Sequence, residues 1–468
     1  MTAMWLANRV FVALVLVSSV FATAADFYWN GTDNNYNSLN WENPPGTPLA
    51  SWPGSWDRIY NTAGGKVTLS ALQRPGYFQF ASGELEILAG GTLEPQGNGG
   101  GAIGDGSATI TINGGTLRSG GPAGATVGEA AVNLRSGTWT LTGGTGAAFY
   151  AAGGSATPAR ISHTGGTLAS NGYSVIVGQQ NQWGDRDGDY YFGDAAGSSG
   201  ALTGSGSLIV GNITAKMSGS GYRRTTYGTF TGHGTVGLTG TLRNNGYVIA
   251  NGYGADRDLD LTAFTAVTNT IDNNEYKLSA DNNFYYGKGG TGWFAVDGGR
   301  LVLPAISVAA GAGAYNWGEN PADTDIDLVN SLRIAFTDVA APGNLSASLL
   351  ATDRGELART AGNLLAVWDL SAAGLQFGTA DIVFRYDDAL ATSLGLTETA
   401  LRLYHLDGNA WVDVTSGVDL SKKQISAAGI GAFSLFAIGT DVVVIPEPAS
   451  ALILALAGVS LAGRRRRG

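Results

Sequence analysis

Two glutamates, Glu84 and Glu86, stand two apart in a stretch whose alternation predicts a strand. Side chains at that spacing share one face, about 7 Å apart. That separation is within reach of the paired carboxylates of a glycosidase, although it suits a solvated strand face equally and no second pair stacks on it from the next repeat. Asp185, Asp187 and Asp189 lie in Asp185-Arg186-Asp187-Gly188-Asp189. Carboxylates alternating around a glycine are the raw material of a calcium loop, but the full twelve-residue pattern with its terminal glutamate is missing, and a polar surface loop is the other reading. Asp256, Asp258 and Asp260, and Asp323, Asp325 and Asp327, are weaker versions of the same pattern. His163, His233 and His405 are far apart, and none belongs to a zinc-binding pattern. Glycine-rich runs such as residues 97–106 are repeat turns and not phosphate loops. With no clustered acid, base and cation, the chain is not expected to be an enzyme, and no cofactor is expected unless Asp185, Asp187 and Asp189 hold a structural calcium. Tyr173 precedes, and Trp183, Tyr190 and Tyr191 lie within, residues 179–200, which look like an inserted loop. These aromatics keep open the alternative of a carbohydrate-binding protein; a polysaccharide-degrading β-helix enzyme, the other alternative, would need clustered acid, base and cation sites on one face of adjacent coils.

The elements that must carry these residues are strands. The chain has 72 glycines among 468 residues, only 14% charged residues and no cysteine. Glycine mixed with Thr, Ser, Val, Ile and Leu points to short strands and tight turns, held without disulfides or thiolate metal sites. A net charge of −10 argues against a nucleic-acid partner, which needs a basic surface. A Gly-Gly-Thr-Leu-like motif recurs at Gly90-Gly91-Thr92-Leu93, Gly114-Gly115-Thr116-Leu117, Gly137-Thr138-Trp139 and Gly165-Gly166-Thr167-Leu168. A second marker, an apolar residue before glycine, recurs at Ile103-Gly104, Val127-Gly128 and Val177-Gly178, with Gly153 midway between the last two. Two independent markers sharing a period of about 25 residues predict stacked coils, a parallel β-helix or solenoid, because one such unit cannot bury its own face. The period loosens after Val177. Gly206-Ser207-Leu208-Ile209-Val210-Gly211 and Gly240-Thr241-Leu242 suggest further coils to about residue 303.

Two flanking segments complete the body. Tyr28-Trp29-Asn30-Gly31, Asn40-Trp41 and Trp52-Pro53-Gly54-Ser55-Trp56-Asp57 resemble the opening of secreted Gly-rich solenoid proteins, including autotransporter-like passengers. Large aromatics there would cover the first coil. From residue 325 to 439 glycine thins and alternation sharpens, with strands predicted at 331–336, 364–370, 380–386, 400–405, 410–414 and 433–438. Asp407-Gly408-Asn409 is a hairpin signal, and the spacing predicts a small β-sandwich.

The ends carry their own signals. Arg9, the apolar residues 10–20 and Ala22-Thr23-Ala24 read as a signal peptide. Near the other end stand Pro446-Glu447-Pro448, then fifteen uncharged residues, then Arg464, Arg465, Arg466 and Arg467. Fifteen helical residues span roughly 22 Å, so snorkelling arginines and local thinning must help such a segment span a membrane. The arginine stop belongs on the cytoplasmic side. This three-part order resembles the PEP-CTERM sorting signal. The segment 401–439 also resembles a small module that precedes such tails, a stalk or cap and not a catalyst. The resemblance implies recognition and cleavage by an exosortase, transient anchoring in the inner membrane, and a link to exopolysaccharide and biofilm.

The expected organisation is all-β. A signal peptide occupies 1–25, a Trp-rich cap 26–80, a solenoid 81–303, a β-sandwich 304–440, and a transmembrane sorting tail 441–468. The expected function is that of an exported cell-surface or matrix protein with a structural or adhesive role.

Overall fold

In a computed structural model of the chain, the described residues are 26–29, 41–42, 58–60 and most of 66–444, with the longer breaks at 218–227, 269–283 and 319–327. The signal peptide and the sorting tail after Val444 lie outside them, while residues 441–444, expected to open the tail, end a strand. The described residues are mostly strand, with one short α-helix at Asp388–Ser393 and single 3-10 turns at Gly355–Leu357 and Glu398–Ala400. Among them no helix is long and apolar enough to cross a membrane.

Three sets of parallel ladders build the larger part, in an arrangement compatible with a solenoid. The first face begins at Lys66–Leu69 and Glu84–Leu88 and ends at Tyr247–Asn251 and Trp293–Asp297. The second begins at Leu72–Gln73 and Thr92–Leu93 and ends at Arg257–Asp260 and Gly299–Val302. The third runs from Ala102–Gly104 to Ala266–Thr268. One inward row of the first face comprises Val67, Leu85, Ile110, Val132, Ile161, Tyr190, Phe230, Val248 and Phe294, each fully buried. Each such side chain contributes about 1.5–3 kcal/mol on burial, and only stacking of neighbouring coils provides that burial.

The Gly-Gly-Thr-Leu marker stacks in register. Thr92, Thr116, Thr138 and Thr167 form one row, and Leu93, Leu117, Trp139 and Leu168 the inward row beside it. The glycines serve the corner ahead of these rows. Gly90, Gly114 and Gly137 have φ between +84° and +86°, where a side chain is strained. A Cβ on Gly115 would lie 2.5 Å from the Leu88 carbonyl oxygen.

Coil length is not constant. On the first face Phe230 pairs with Val248, 18 residues on, whereas Val248 pairs with Phe294, 46 residues on. The extra length falls at one corner, between the third face and the next first-face strand, in residues 214–227 and 269–292. Strands Lys216–Met217 and Phe284–Tyr285 from these two insertions pair with each other. The reading of 179–200 as an inserted loop is corrected. Gly188–Phe192 is a first-face core strand, with Gly188, Tyr190 and Phe192 inward. Its two tyrosines and aspartate disguise the alternation.

After Val302 the parallel order gives way to antiparallel pairing without a break in the sheet. Gly343–Leu350 pairs with the last second-face strand, Gly299–Val302, and Thr360–Ala373, Leu435–Val444, Arg402–Asp407 and Ala410–Asp413 follow in order. A second antiparallel sheet holds Gly313–Trp317, Leu332–Phe336, Ala380–Arg385, Gln424–Ile430 and Thr415–Asp419. Trp368 and Phe436 of the first sheet meet Phe384 of the second, with ring centroids 5.9 and 6.0 Å apart. The hairpin at 407–410 has a two-residue turn with Gly408 at φ +59°. One apolar core runs through coils and module, from Val67 to Ile438.

Candidate functional site

Glu84 and Glu86 share the outer side of one first-face strand, as their spacing predicts, but they do not stand as a free acid–base pair. Lys66, in register one coil earlier, reaches Glu84 Oε1 at 3.4 Å and Glu86 Oε2 at 2.6 Å. From the next coil, the Asn113 amide donates to Glu86 Oε1 at 2.9 Å and the Thr111 hydroxyl to Glu84 Oε1 at 3.5 Å. Hydrogen bonds from Lys66 and Asn113 hold the Glu86 carboxyl below its usual range. A glycosidase general acid needs the opposite shift. Ser136 extends the ladder by donating to Asn113 Oδ1 at 3.2 Å. The arrangement is a polar ladder across four coils. Lys66 was missed in the sequence because only the register, not the spacing, shows that it faces Glu84.

Asp185 sits on Gly184–Arg186, an antiparallel partner of the end of Ser174–Asn181. Asp189 sits on the first-face strand between Arg160 and Thr229. Asp187 lies outside the described residues, and Asp185 and Asp189 sit on separate strands without a described common centre. Asp258 has different partners altogether. Arg300 reaches its Oδ2 at 2.5 Å and Arg354 its Oδ1 at 3.1 Å. Asp260 accepts the Thr262 amide. Asp258 is therefore satisfied by two guanidiniums, and Arg354, 5% exposed, brings the loop after Gly343–Leu350 down onto the coils. No group of His, Asp and Glu that could hold a metal ion occurs among the described residues.

The histidines are structural. His163 takes the inward position that Leu134 fills one coil earlier and Phe192 one coil later. Its Nδ1 and the Tyr190 hydroxyl are 2.8 Å apart. Because Nε2 donates to the Gly166 carbonyl at 3.4 Å, Nδ1 accepts from the tyrosine, and the neutral ring is satisfied at both nitrogens. Burial pushes its pKa down to about 4. His233 Nε2 donates to the Asp194 carbonyl. His405 stacks on Phe436 at 4.5 Å, and burial lowers its pKa.

The aromatics considered for sugar stacking are occupied. Tyr190 is fully buried, Tyr173 packs against the core, and the Arg160 guanidinium covers the Tyr191 ring at 5.2 Å. Trp183 lies outside the described residues. Tyr247 and Trp293, in register on the outer side of the first face, stack on each other at 4.8 Å. The sorting motif Pro446, Glu447 and Pro448 and the stop Arg464 to Arg467 also lie outside the described residues. The last described strand, Leu435–Val444, stops two residues before Pro446.

The fold and these sites define a class, an all-β chain whose parallel ladders, compatible with a solenoid, continue into antiparallel sheets and carry outer polar groups that pair from strand to strand. Compared with protein-family models, curated proteins and solved structures, the chain finds no match.

Proposed function

We propose that this chain is an exported surface or matrix protein, a parallel β-solenoid joined to a β-sandwich, released from the inner membrane by an exosortase that cleaves near Pro446-Glu447-Pro448. The observation that carries this reading is the order of the tail. The motif, fifteen uncharged residues and four arginines follow the strand Leu435–Val444 after one residue, Ile445. Proline cannot continue a ladder, and the motif starts two residues after the last described strand residue, Val444. The signal-peptide pattern at residues 9–24 places the body outside the membrane on the same side that the arginine stop demands. The three parallel ladders support the solenoid, and Trp368, Phe384 and Phe436 between two antiparallel sheets support the sandwich.

A structural role fits the chemistry of the outer face. Glu86 is held ionised by Lys66 and Asn113, which suits cohesion between coils and not proton donation to a glycosidic oxygen. Exopolysaccharide is the matrix partner proposed for such a spacer.

The test is the intact mass and location of the product in the native host and in a strain lacking the exosortase. Loss of residues 449–468 only where the exosortase is present supports the proposal. A full-length, membrane-bound product in both strains overturns it.

A further inference from the structure

The final strand changes character near its end. From Phe436 to Gly439 it is paired on both sides, with Thr360–Ala373 and with Arg402–Asp407. Beyond Thr440 the described pairing is on one side only, Thr360 with Val444 and Ala361 with Val443. Between these pairs and the pair Asn363–Thr440, two residues, Asp441 and Val442, oppose the single Gly362, which is a β-bulge. The bulge holds Asp441 at φ +54°, a conformation that costs a non-glycine residue free energy. Gly362 sits at φ +123°, and a Cβ there would lie 2.6 Å from the Asp441 carbonyl oxygen. Among the described side chains of the segment, one fastens it. Val442 is 2% exposed in a small cluster with Leu350, Leu357, Val367 and Ala437, while Val443 beside it is 54% exposed.

We propose that residues 441–444 form a latch whose release limits the processing of the tail. The proposal rests on the sorting reading above. A protease cleaves chain that has left its sheet, and where opening and closing are fast the rate follows the open population. The latch ends two residues before Pro446, so the closed form leaves little free chain between the folded body and the motif. A strained bulge, one ladder and one buried valine make this the weakest part of the strand, and peeling it frees the five residues before the motif without disturbing the doubly paired segment.

The experiment uses the full chain. Deuterium exchange on the protein purified in detergent reads the latch, and loss of the tail in host membranes reads processing. Val442→Ala is expected to raise both exchange at 441–444 and the rate of tail loss by about tenfold. Ala361→Cys with Val443→Cys, a facing pair, is expected to block tail loss until reductant is added. Equal processing of wild type, Val442→Ala and the oxidised cysteine pair overturns the latch. So does exchange at 441–444 no faster than at 435–440. If wild-type tail is retained with the exosortase present, the sorting reading itself falls and takes the latch with it; the exchange data then stand as a separate record of the strand.

Discussion

His163 is a polar ring in a row of aliphatic and aromatic side chains, and its burial has a measurable sign. Its folded pKa of about 4 lies below the unfolded value of about 6.5. Between those values the unfolded chain binds a proton that the folded chain does not. Stability is therefore full above about pH 6.5 and declines toward pH 4, by up to about 3 kcal/mol. Urea midpoints between pH 6.5 and 4.5 should show this slope, before carboxylate protonation takes over. The double variant His163→Leu with Tyr190→Phe, which leaves no hydroxyl unpaired, should flatten most of it, with His405 supplying a remainder. A slope unchanged in the double variant would remove His163 as its cause. Gly200 lies against the same ring, and a Cβ there would sit 1.9 Å from His163 Nε2. Gly200→Ala is expected to lower stability by about 1–3 kcal/mol, measured by thermal or urea unfolding. Neither effect is legible in the sequence, because a lone histidine and a lone glycine acquire meaning only through the register that stacks them.

At the scale of strands, the clearest signal was the Gly-Gly-Thr-Leu repeat, and the structure explains why. Each of its four positions answers a separate demand: a left-handed turn, a close backbone approach, an outward residue and an inward one. Strand Gly188–Phe192 was illegible for the opposite reason. Its inward set is a glycine, a tyrosine and a phenylalanine, which do not read as an aliphatic alternation. The ladder Lys66–Glu86–Asn113 could not be foreseen either, since it links residues 20 and 27 apart whose coils differ in length. Glu86→Gln should weaken it by about 1 kcal/mol at neutral pH. The Glu86 pKa is lowered, so its contribution is present above the unfolded value of about 4.3 and is lost as pH falls through the folded value. A chemical-denaturation series at pH 7 and pH 3 checks both statements; equal loss at the two pH values would exclude an ionic ladder.

At the scale of the molecule, the expected boundary near residue 303 is crossed by hydrogen bonds. Gly299–Val302 is both the last parallel strand of the coils and the first neighbour of the antiparallel sheet, and Arg354 reaches across to Asp258. Composition marked the change from parallel to antiparallel because glycine thins there, but it could not show that the sheet continues. Coils and module should therefore melt together in calorimetry as one transition. Arg354→Ala, which removes the cross-contact and leaves Asp258 with Arg300 alone, should cost about 1–3 kcal/mol and split the transition in two. Two transitions in the wild type would mean that the shared sheet does not couple the parts.

The pairing of Lys216–Met217 with Phe284–Tyr285 reaches from one insertion to another over the coil between them, whose own corner is the two-residue turn Asn245-Gly246. Solenoids commonly change length over evolutionary time by copying or losing a repeat. Here the gain or loss of one coil would shift the two insertions relative to each other and break their pairing. Deleting or duplicating the coil between them should therefore cost this pairing as well as the coil's own ladders, whereas the same change at another coil would leave the pairing in place.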